Sequence, residues 1–353
     1  MAVASTRPSA AKRGRHMKAY EMGDLKSDLT LRAVERPIPE PQFGQLLVKV
    51  HATGLNARDS MILRGQFGAK NADHIPLSDN VGEVAALGPG VTGFAIGERV
   101  TVTHYAHWLE GDWDAAYNGY DLGNNVDGFL AEYALAPANA VVKISNRLSD
   151  VEACTLSIAG LTAWRALAVE ARPQPSEYVL TIGTGGVSVF GLQIAKMFES
   201  KVIITSSSDA KLSKMKDLGA DLFVNYKTSA NWAKEVMEIT GGRGADVILN
   251  NVGYPELENC FIAAGNNARC IHIGASRAVT EMNPLQNFFM KDCSIKGIAN
   301  GSRRMLSEFL KAADQNNLKP LVDRVFAFDQ ALEAVRYFES GAHSGKVVIK
   351  VAA

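Results

Sequence analysis

The sequence predicts an α/β protein in which a β-rich N-terminal region precedes a doubly wound parallel sheet. A glycine turn at residues 183–186 lies between a short apolar run and an amphipathic helix. Strand-like and helix-like segments alternate from about residue 151 onwards, which is typical of a parallel sheet with helices on both faces. Before that point, Gly/Pro turns separate alternating strand-like runs, as in a small antiparallel barrel or sandwich.

The glycine turn belongs to a predicted βαβ unit, the smallest piece of a nucleotide-binding sheet. Gly183 can make the tight turn, while Gly185 and Gly186 let the backbone approach a pyrophosphate. The first N–H groups of the following helix and its dipole favour such an anion. Ser188 replaces the third glycine of the usual G-x-G-x-x-G pattern, so the helix can pack differently on its strand. The alternative is a tight βα turn that binds nothing.

The N-terminal region contains three strand-like runs, at residues 46–50, 81–91 and 94–102. Residues 103–127 follow, with two Trp, three Tyr and two His in no regular period. A long aromatic loop of this kind often lines a pocket, and the alternative is a self-packed surface loop. Tyr105, His107 and Trp108 are the candidate pocket residues, and His107 is a candidate proton donor.

The second half of the chain alternates between helices and strands. A helix is expected over 151–171, and a strand at 178–182 leads through the glycine turn into a helix ending at Phe198. The remaining predicted segments are strands at 202–205, 222–224, 246–250, 270–273 and 345–351, and helices at 210–218, 232–240 and 331–340. Gly219 and Gly241 are typical helix-ending residues. The last strand can return to the first domain.

Length and composition limit the class of protein. A chain of 353 residues suggests two domains, and Lys+Arg and Asp+Glu both number 37, so nothing favours nucleic acid or an anionic membrane as partner. No apolar run approaches the roughly 18 residues that span a bilayer. The four cysteines form no C-x-x-C pair, which argues against a disulfide framework or a clustered zinc site. We expect a cytoplasmic protein with a small-molecule substrate.

Residues 1–16 are basic and contain no acidic residue. We expect a disordered tail or a vector-derived remnant here, and the alternative is an organelle-targeting peptide, which is also rich in Arg and poor in acidic residues.

Four stretches together resemble the medium-chain dehydrogenase/reductase superfamily. They are residues 39–50, 53–59, 77–90 and 183–196, and the tail at 343–349 also fits. The resemblance implies a GroES-like catalytic domain at 17–158 with 303–353, a Rossmann domain at 159–302 and a cofactor in the cleft between them. It also implies a homodimer or homotetramer. Residues 183–188 with 206–209 look like the zinc-type alcohol dehydrogenase-like branch, which is named for its relatives.

The resemblance also indicates that zinc ligands are missing. Asn56 stands at the position of the family's ligand Cys, and Ser78-Asp79-Asn80 replaces a Gly-His-Glu triplet. The third ligand position falls near Ile158, and Cys154, one helical turn away, is expected to be a small buried hydrophobe. Asn56 and Asp79 are poor zinc ligands. We therefore expect a zinc-independent protein of the quinone oxidoreductase-like kind.

Without zinc, other groups must stabilise charge on the substrate oxygen. The resemblance offers Asn56 and Arg58 as donors in the cleft, and it places Asp79 close to the nicotinamide. Each has an alternative interpretation: Asn56 can be a turn residue, Arg58 can pair with Asp59 or another carboxylate, and Asp79 can either relay a proton or cap a helix.

The cofactor prediction is NADP(H) in preference to NAD(H). NAD-dependent proteins often carry an acidic residue after the second strand, and Ser206 takes that position here. Ser206, Ser207 and Lys211 suit a 2′-phosphate, and Tyr226 matches a family tyrosine beside it. Asp209 argues against this prediction, and the serines can instead cap the next helix. The full set of expected cofactor contacts is Thr162, Gly183, Thr184, Gly185, Gly186, Val187, Ser206, Ser207, Lys211, Tyr226, Asn251, Val252, Gly274, Ala275 and Asn300; Phe288 is expected at the substrate mouth.

The main functional hypothesis is an NADPH-dependent, zinc-free reductase that moves hydride to an activated C=C of an enone or quinone, or to a carbonyl. A related alternative is an alcohol dehydrogenase or ketone reductase with a protein proton donor. A different class of function is a nucleotide-binding protein that performs no hydride transfer.

Overall fold

The computed structural model describes residues 15–23, 29–66, 72–229, 231–274, 288 and 290–352. These residues contain a seven-stranded sheet, a six-stranded sheet and a two-stranded N-terminal ribbon. The α/β fold with a GroES-like part and a Rossmann part is therefore confirmed. None of the described helices combines the length and the apolar character needed to cross a bilayer.

The ribbon and the seven-stranded sheet make up the GroES-like part. Strand β1 (His16–Glu21) pairs with β2 (Arg32–Pro37), so the last residue of the predicted tail belongs to a strand. Residues 1–14 of that predicted tail lie outside the described residues. The sheet takes five strands from the N-terminal region: β3 (Gln45–Gly54), β4 (Val81–Leu87), β5 (Arg99–Val102), β6 (Tyr133–Pro137) and β7 (Val141–Lys143). A short helix, α1 (Ala57–Leu63), follows β3.

The six-stranded sheet is parallel and doubly wound, as the alternating segments predict. Its strands are β8 (Tyr178–Thr181), β9 (Lys201–Ser206), β10 (Leu222–Asn225), β11 (Ala245–Asn250), β12 (Ala264–His272) and β13 (Ser294–Gly297), in the spatial order β10-β9-β8-β11-β12-β13. The helices between them are α4 (Gly186–Met197), α5 (Asp209–Asp217), α6 (Trp232–Ile239) and α7 (Leu257–Ala263). Strand order reverses between β8 and β11, and a crevice for ligands forms at such a point.

The C-terminal segment returns to the first sheet. After α8 (Arg303–Gln315), strand β14 (Val322–Ala327) and helix α9 (Ala331–Glu339) lead to β15 (Lys346–Lys350). Strand β15 pairs with β14 on one side and with β3 on the other. The apolar face of α8 packs in the same core as residues of α4, with Phe190 and Phe309 in contact. The predicted domain limits stay a prediction.

The segment predicted to be helical over 151–171 is helical on both sides of a break. The segment contains α2 (Asp150–Ala153), a 3₁₀ turn (Cys154–Leu156), α3 (Ala159–Trp164) and a π-helical stretch (Arg165–Ala171). The break lies at Ser157 and Ile158. There the N–H of Ile158 donates to the carboxylate of Asp79 at 3.1 Å. This buried carboxylate replaces the backbone carbonyl that would accept the same hydrogen bond in a continuous helix.

Candidate functional site

The glycine turn presents free N–H groups at the crevice. Gly183 has φ of +79°, which only glycine adopts at low cost, and Gly185 begins α4 without a side-chain cap. The backbone N–H groups of Val187 and Ser188 have no hydrogen-bond partner among the described residues, whereas the parallel bridge between Gly185 and Gly345 engages the N–H of Gly186. A row of unpaired donors at the start of a 12-residue helix fits a phosphate group.

Ser188 fills the place of the missing third glycine with hydrogen bonds. Its hydroxyl donates to the Ile182 carbonyl at 2.9 Å and accepts from Asn251 Nδ2 at 2.7 Å. The close contact between helix and strand falls instead at Gly191, where a Cβ would lie 2.6 Å from Leu249 Cδ1. Asn251 Oδ1 is buried without a partner, so an acceptor remains for a ligand beside the turn.

The two glycines at positions 185 and 186 differ in what they allow. Around Gly185 an added Cβ would meet nothing within 4 Å, whereas at Gly186 it would lie 2.7 Å from Cδ of Lys346. The prediction that Gly186 lets the backbone approach a pyrophosphate stays a prediction. Its missing side chain makes room for Lys346.

The residues predicted around the 2′-phosphate lie together at the end of β9. The N–H of Tyr226 donates to the Ser206 carbonyl at 3.0 Å, and Ser207 is exposed. Ser208 caps α5, as the alternative interpretation of the serines expects. Lys211 Nζ donates to the carbonyl of Gly341; burial lowers the pKa of Lys211, and the charge of Asp323 opposes that shift. Asp209 accepts from the Asn225 amide at 2.7 Å.

The described residues predicted beside the nicotinamide are either at strand ends or buried in hydrogen-bonded contacts. Val252 and Gly274 lie at the carboxyl ends of β11 and β12, and a Cβ at Gly274 would collide with the Val252 backbone. Ala275 lies outside the described residues. Asn300 is 6% exposed and its amide is fully used, since it donates to Thr103 Oγ1 and the Ser157 carbonyl and accepts from Thr162 Oγ1. Asn300 thus connects the predicted Rossmann domain to Thr103 and Ser157 of the predicted GroES-like domain.

A buried ammonium group lies among the residues at the zinc-ligand positions. Lys346, on β15, is 2% exposed, and its Nζ donates to the Leu55 carbonyl at 2.6 Å. The same Nζ donates at 2.7 Å to Asn56 Oδ1 and at 2.7 Å to Asp79 Oδ2. An ammonium has three hydrogens, and each has an acceptor here. Asn56 Nδ2 also donates to Asp79 Oδ2 at 3.0 Å.

The residues at these positions do not fit a catalytic zinc. Both carboxylate oxygens of Asp79 are engaged: Oδ2 by Lys346 and Asn56, and Oδ1 by the Ser157 hydroxyl at 3.2 Å and the Ile158 N–H. A zinc ligand must offer a free lone pair, and a neighbouring ammonium repels a cation. In the described part of the chain, no three His, Cys, Asp or Glu side chains converge as metal ligands.

Arg58, on α1, belongs to a second network of hydrogen-bonded polar side chains. Its guanidinium contacts the Ser78 hydroxyl and donates to both carboxylate oxygens of Asp121 at 2.8 and 2.7 Å. Its guanidinium also lies 3.9 Å from Asp59 Oδ1, so it pairs with Asp59 and with another carboxylate, as the alternative for this residue expects. Ser78 in turn donates to Asp59 at 3.0 Å, and burial raises the pKa of Asp59 to about 6.

His104 and Asp121 complete this network, and sequence reasoning missed both. His104 Nδ1 lies 2.6 Å from Asp121 Oδ1, and the two residues are 2% and 1% exposed. Against burial, which opposes ionisation, His104 and Arg58 hold the pKa of Asp121 at about 2. Burial and the charge of Arg58 lower the pKa of His104 to about 4. The sequence signal was a histidine directly after a strand, which the neighbouring His107 obscured.

The aromatic segment 103–127 largely packs on itself. Trp108 and Trp113 have ring centroids 5.1 Å apart, and Tyr105 and Trp113 are 4.7 Å apart. Trp108 is fully buried, yet it also borders a cleft of about 850 Å³ together with Arg165 and Gly274. Tyr105 is 6% exposed, and burial raises its pKa to about 12. This arrangement agrees with both interpretations of the loop.

Two predicted pocket residues lie in other surroundings. His107 is exposed and stacks on Tyr120 at 4.2 Å, in a surface groove with Phe43 and Arg303. Phe288 packs against Phe261 of α7 at 4.9 Å. Each ring thus has an aromatic partner within the protein, and the assignment of both residues to the pocket stays a prediction.

Comparison with known proteins identifies the family. The profile described as "Alcohol dehydrogenase GroES-like domain" matches residues 42–146, and the one described as "Zinc-binding dehydrogenase" matches residues 186–315. A Schizosaccharomyces pombe protein described as zinc-type alcohol dehydrogenase-like is 35% identical over 329 residues, covering 91% of this chain and 95% of the relative.

Solved structures agree with this result. One from Sinorhizobium meliloti 1021, provisionally described as an alcohol dehydrogenase, is 35% identical with a TM-score of 0.88, and covers 96% of this chain and 99% of the other. Another, described as an NAD-dependent alcohol dehydrogenase, is 33% identical with a TM-score of 0.87, covering 95% and 100%. The chain is therefore an oxidoreductase of the medium-chain dehydrogenase/reductase superfamily.

Proposed function

We propose that this oxidoreductase uses NADP(H), needs no zinc, and transfers hydride to an activated C=C of an enone or quinone, or to a carbonyl carbon. The observation that carries the proposal is the Lys346–Asp79–Asn56 cluster beside the glycine turn, where metal ligands would otherwise converge. A bound nicotinamide supplies the hydride. The rest of the chemistry then falls to side chains of the chain itself.

Asn56 and the glycine turn have defined tasks in this proposal. The Asn56 amide gives one hydrogen to Asp79, and its second amide hydrogen has no partner among the described residues. That hydrogen can stabilise charge on a substrate oxygen. The N–H groups of Val187 and Ser188, with Asn251 Oδ1, hold the dinucleotide. The Lys346 ammonium fixes Asn56 and Asp79 and provides the local positive charge.

The preference for NADP(H) is supported by charge at the end of β9. Ser206, at the strand's last position, carries no negative charge to repel a 2′-phosphate. Exposed Ser207 and the ammonium of Lys211 offer donors, and Tyr226 is 40% exposed beside them. Asp209 is exposed and charged, which opposes the preference.

A second candidate function is oxidation of alcohols with the reverse reduction of ketones. It is favoured by the His104–Asp121 pair, a protein group able to exchange a proton. The names of the relatives point in the same direction. The remaining alternative, a nucleotide-binding protein without turnover, lacks a specific observation in its favour.

The first prediction concerns the reaction. Purified protein should oxidise NADPH with cyclohex-2-enone, a quinone, cyclohexanone or benzaldehyde, equally with and without EDTA, because no step requires a metal ion. The measurement is absorbance of the reduced cofactor, with metal content by mass spectrometry in parallel. Loss of turnover on chelation, or stoichiometric zinc, would contradict the metal-free proposal. Binding of NADPH with no turnover of any substrate would favour the non-catalytic alternative.

The second prediction concerns Lys346. Lys346→Met leaves the fully buried Asp79 carboxylate without its cation, so we expect a loss of about 3–5 kcal/mol in the free energy of unfolding. Lys346→Met with Asp79→Asn should recover most of that loss, because the buried pair then carries no charge. Lys350→Met, at the exposed end of the same strand, is the matched control. Urea unfolding gives the free energy of unfolding of these three variants and of the wild type. A double variant no more stable than Lys346→Met contradicts the ion-pair account.

The third prediction concerns the cofactor. Lys211→Ala should weaken NADPH binding by about tenfold and leave NADH binding unchanged, since it removes one charge facing the 2′-phosphate. Lys216→Ala, a basic residue in the last turn of the same helix, should change neither affinity. Cofactor fluorescence gives both dissociation constants. Equal loss for NADPH and NADH would place Lys211 outside the 2′-phosphate site.

We also propose that the chain forms a homodimer or homotetramer through β13. This strand is at the end of the six-stranded sheet, and all four of its residues are exposed, with Ile295 42% exposed. An exposed strand edge is a template for pairing with another chain. Ile295→Asp should therefore shift the mass in light scattering towards the 38.0 kDa monomer. Val325→Asp, on the edge strand of the other sheet, should not; a monomeric wild type overturns the proposal.

A further inference from the structure

His104 has one ring nitrogen that is fixed and one that is available. Nδ1 lies 2.6 Å from the carboxylate of Asp121, which can only accept, so Nδ1 carries the hydrogen. Nε2 then carries the lone pair, and it forms no hydrogen bond with the described residues although the side chain is 2% exposed. A histidine oriented by a carboxylate through one nitrogen is arranged for proton exchange at the other.

Asp121 is itself rigidly held, which fixes the orientation of the imidazole. Arg58 donates to both of its carboxylate oxygens, and Asn124 Nδ2 donates to Oδ2 at 3.0 Å. Its backbone N–H donates to Asn125 Oδ1 at 2.8 Å. The carboxylate thus serves as a stable anion behind the ring, in the manner of the third member of a catalytic triad.

His104 is connected through neighbouring residues to both groups of side chains predicted for the site. Thr103, the preceding residue, contacts the Asn300 amide and donates to the Gly301 carbonyl at 3.2 Å. On the other side, Arg58 connects the same network to Ser78, which adjoins Asp79. His104 therefore lies close to both the predicted nicotinamide side and the Asn56–Asp79 cluster.

We propose that His104 is a catalytic residue whose Nε2 exchanges a proton with the substrate oxygen. This inference rests on the proposed function and narrows its substrate to a carbonyl compound and the corresponding alcohol. In reduction, hydride reaches the carbonyl carbon, the π electron pair moves to oxygen, and oxygen takes the proton from imidazolium Nε2. Neutral imidazole remains and the nicotinamide is oxidised. In oxidation, neutral Nε2 removes the hydroxyl proton as hydride leaves the carbon.

The charged and titratable groups facing His104 determine its pH dependence. They are Asp121, Arg58, Asp79 and the neighbouring Tyr105, whose ring centroid lies 3.8 Å from that of His104. With the pKa at about 4, imidazole is neutral at physiological pH. Alcohol oxidation needs the neutral form and should be insensitive to this group above about pH 5, whereas ketone reduction should fall by about tenfold per pH unit.

The test compares His104→Gln with His107→Gln, the exposed histidine of the same segment. Glutamine can still donate to Asp121 but cannot exchange a proton. At about pH 6, His104→Gln should lower kcat/KM for cyclohexanone reduction by about 10²-fold or more and abolish the pH slope, while His107→Gln matches the wild type. The NADPH dissociation constant, measured by fluorescence, should stay unchanged in both. Asp121→Asn is a second variant that should lower the same rate.

A second readout does not depend on activity. In wild-type protein labelled with ¹⁵N-histidine, the resonances absent from His104→Gln should show hydrogen on Nδ1 and a lone pair on Nε2 at neutral pH. Hydrogen on Nε2 instead, or an unchanged rate and slope in His104→Gln, would overturn the proposal. Turnover of cyclohex-2-enone without any ketone or alcohol turnover would also overturn it while leaving the proposed function intact. Absence of hydride transfer to every substrate overturns both.

Discussion

The buried ion pair between Lys346 and Asp79 is the interaction on which the centre of this molecule depends. It joins the last strand of the chain to the start of β4, and it lies beneath the dinucleotide turn because the Gly345 N–H donates to the Thr184 carbonyl at 2.8 Å. Removing two charges from water is costly, and only complete hydrogen bonding repays that cost. Here every ammonium hydrogen and both carboxylate oxygens have partners. One cluster therefore fixes both domains and the cofactor turn.

In this cleft, polar groups with complete hydrogen bonding support the structure, and polar groups without a partner are candidates for ligand binding. Asn300, Thr162 and the Asp79 carboxylate have all their hydrogen bonds within the protein, so they hold the walls in place. The N–H groups of Val187 and Ser188 in α4, and Nε2 of His104, have no partner in the described part of the chain. Buried polar groups are normally paired, so these exceptions are the places where a ligand completes the structure.

Much of the fold was predictable because its signals are local. The glycine turn, the alternating segments and the Gly219 helix end each depend on neighbours within a few residues. The site was predictable only in part. Asn56, Arg58 and Asp79 were found through resemblance, and the structure brings them together. The break at Ile158 depends on a carboxylate 79 residues away in sequence, and no local pattern contains that information.

The pairing of His104 with Asp121, 17 residues apart in sequence, was also not predictable from a local pattern. Both residues lie in one aromatic segment whose sequence has no period, so only the folded loop decides which histidine is buried. Lys346 is another example. A lysine in an apolar strand looks like a surface residue at a strand end, and its burial follows from three oxygen acceptors contributed by distant segments.

The close approach of Gly186 to Lys346 limits which substitutions this part of the chain tolerates. A side chain at position 186 would displace Lys346. Replacing Lys346 alone would leave the buried Asp79 carboxylate without its cation. A metal ligand introduced at Asn56 or Asp79 would place a cation against the ammonium. We therefore expect positions 56, 79, 186 and 346 to tolerate substitution in combination better than singly.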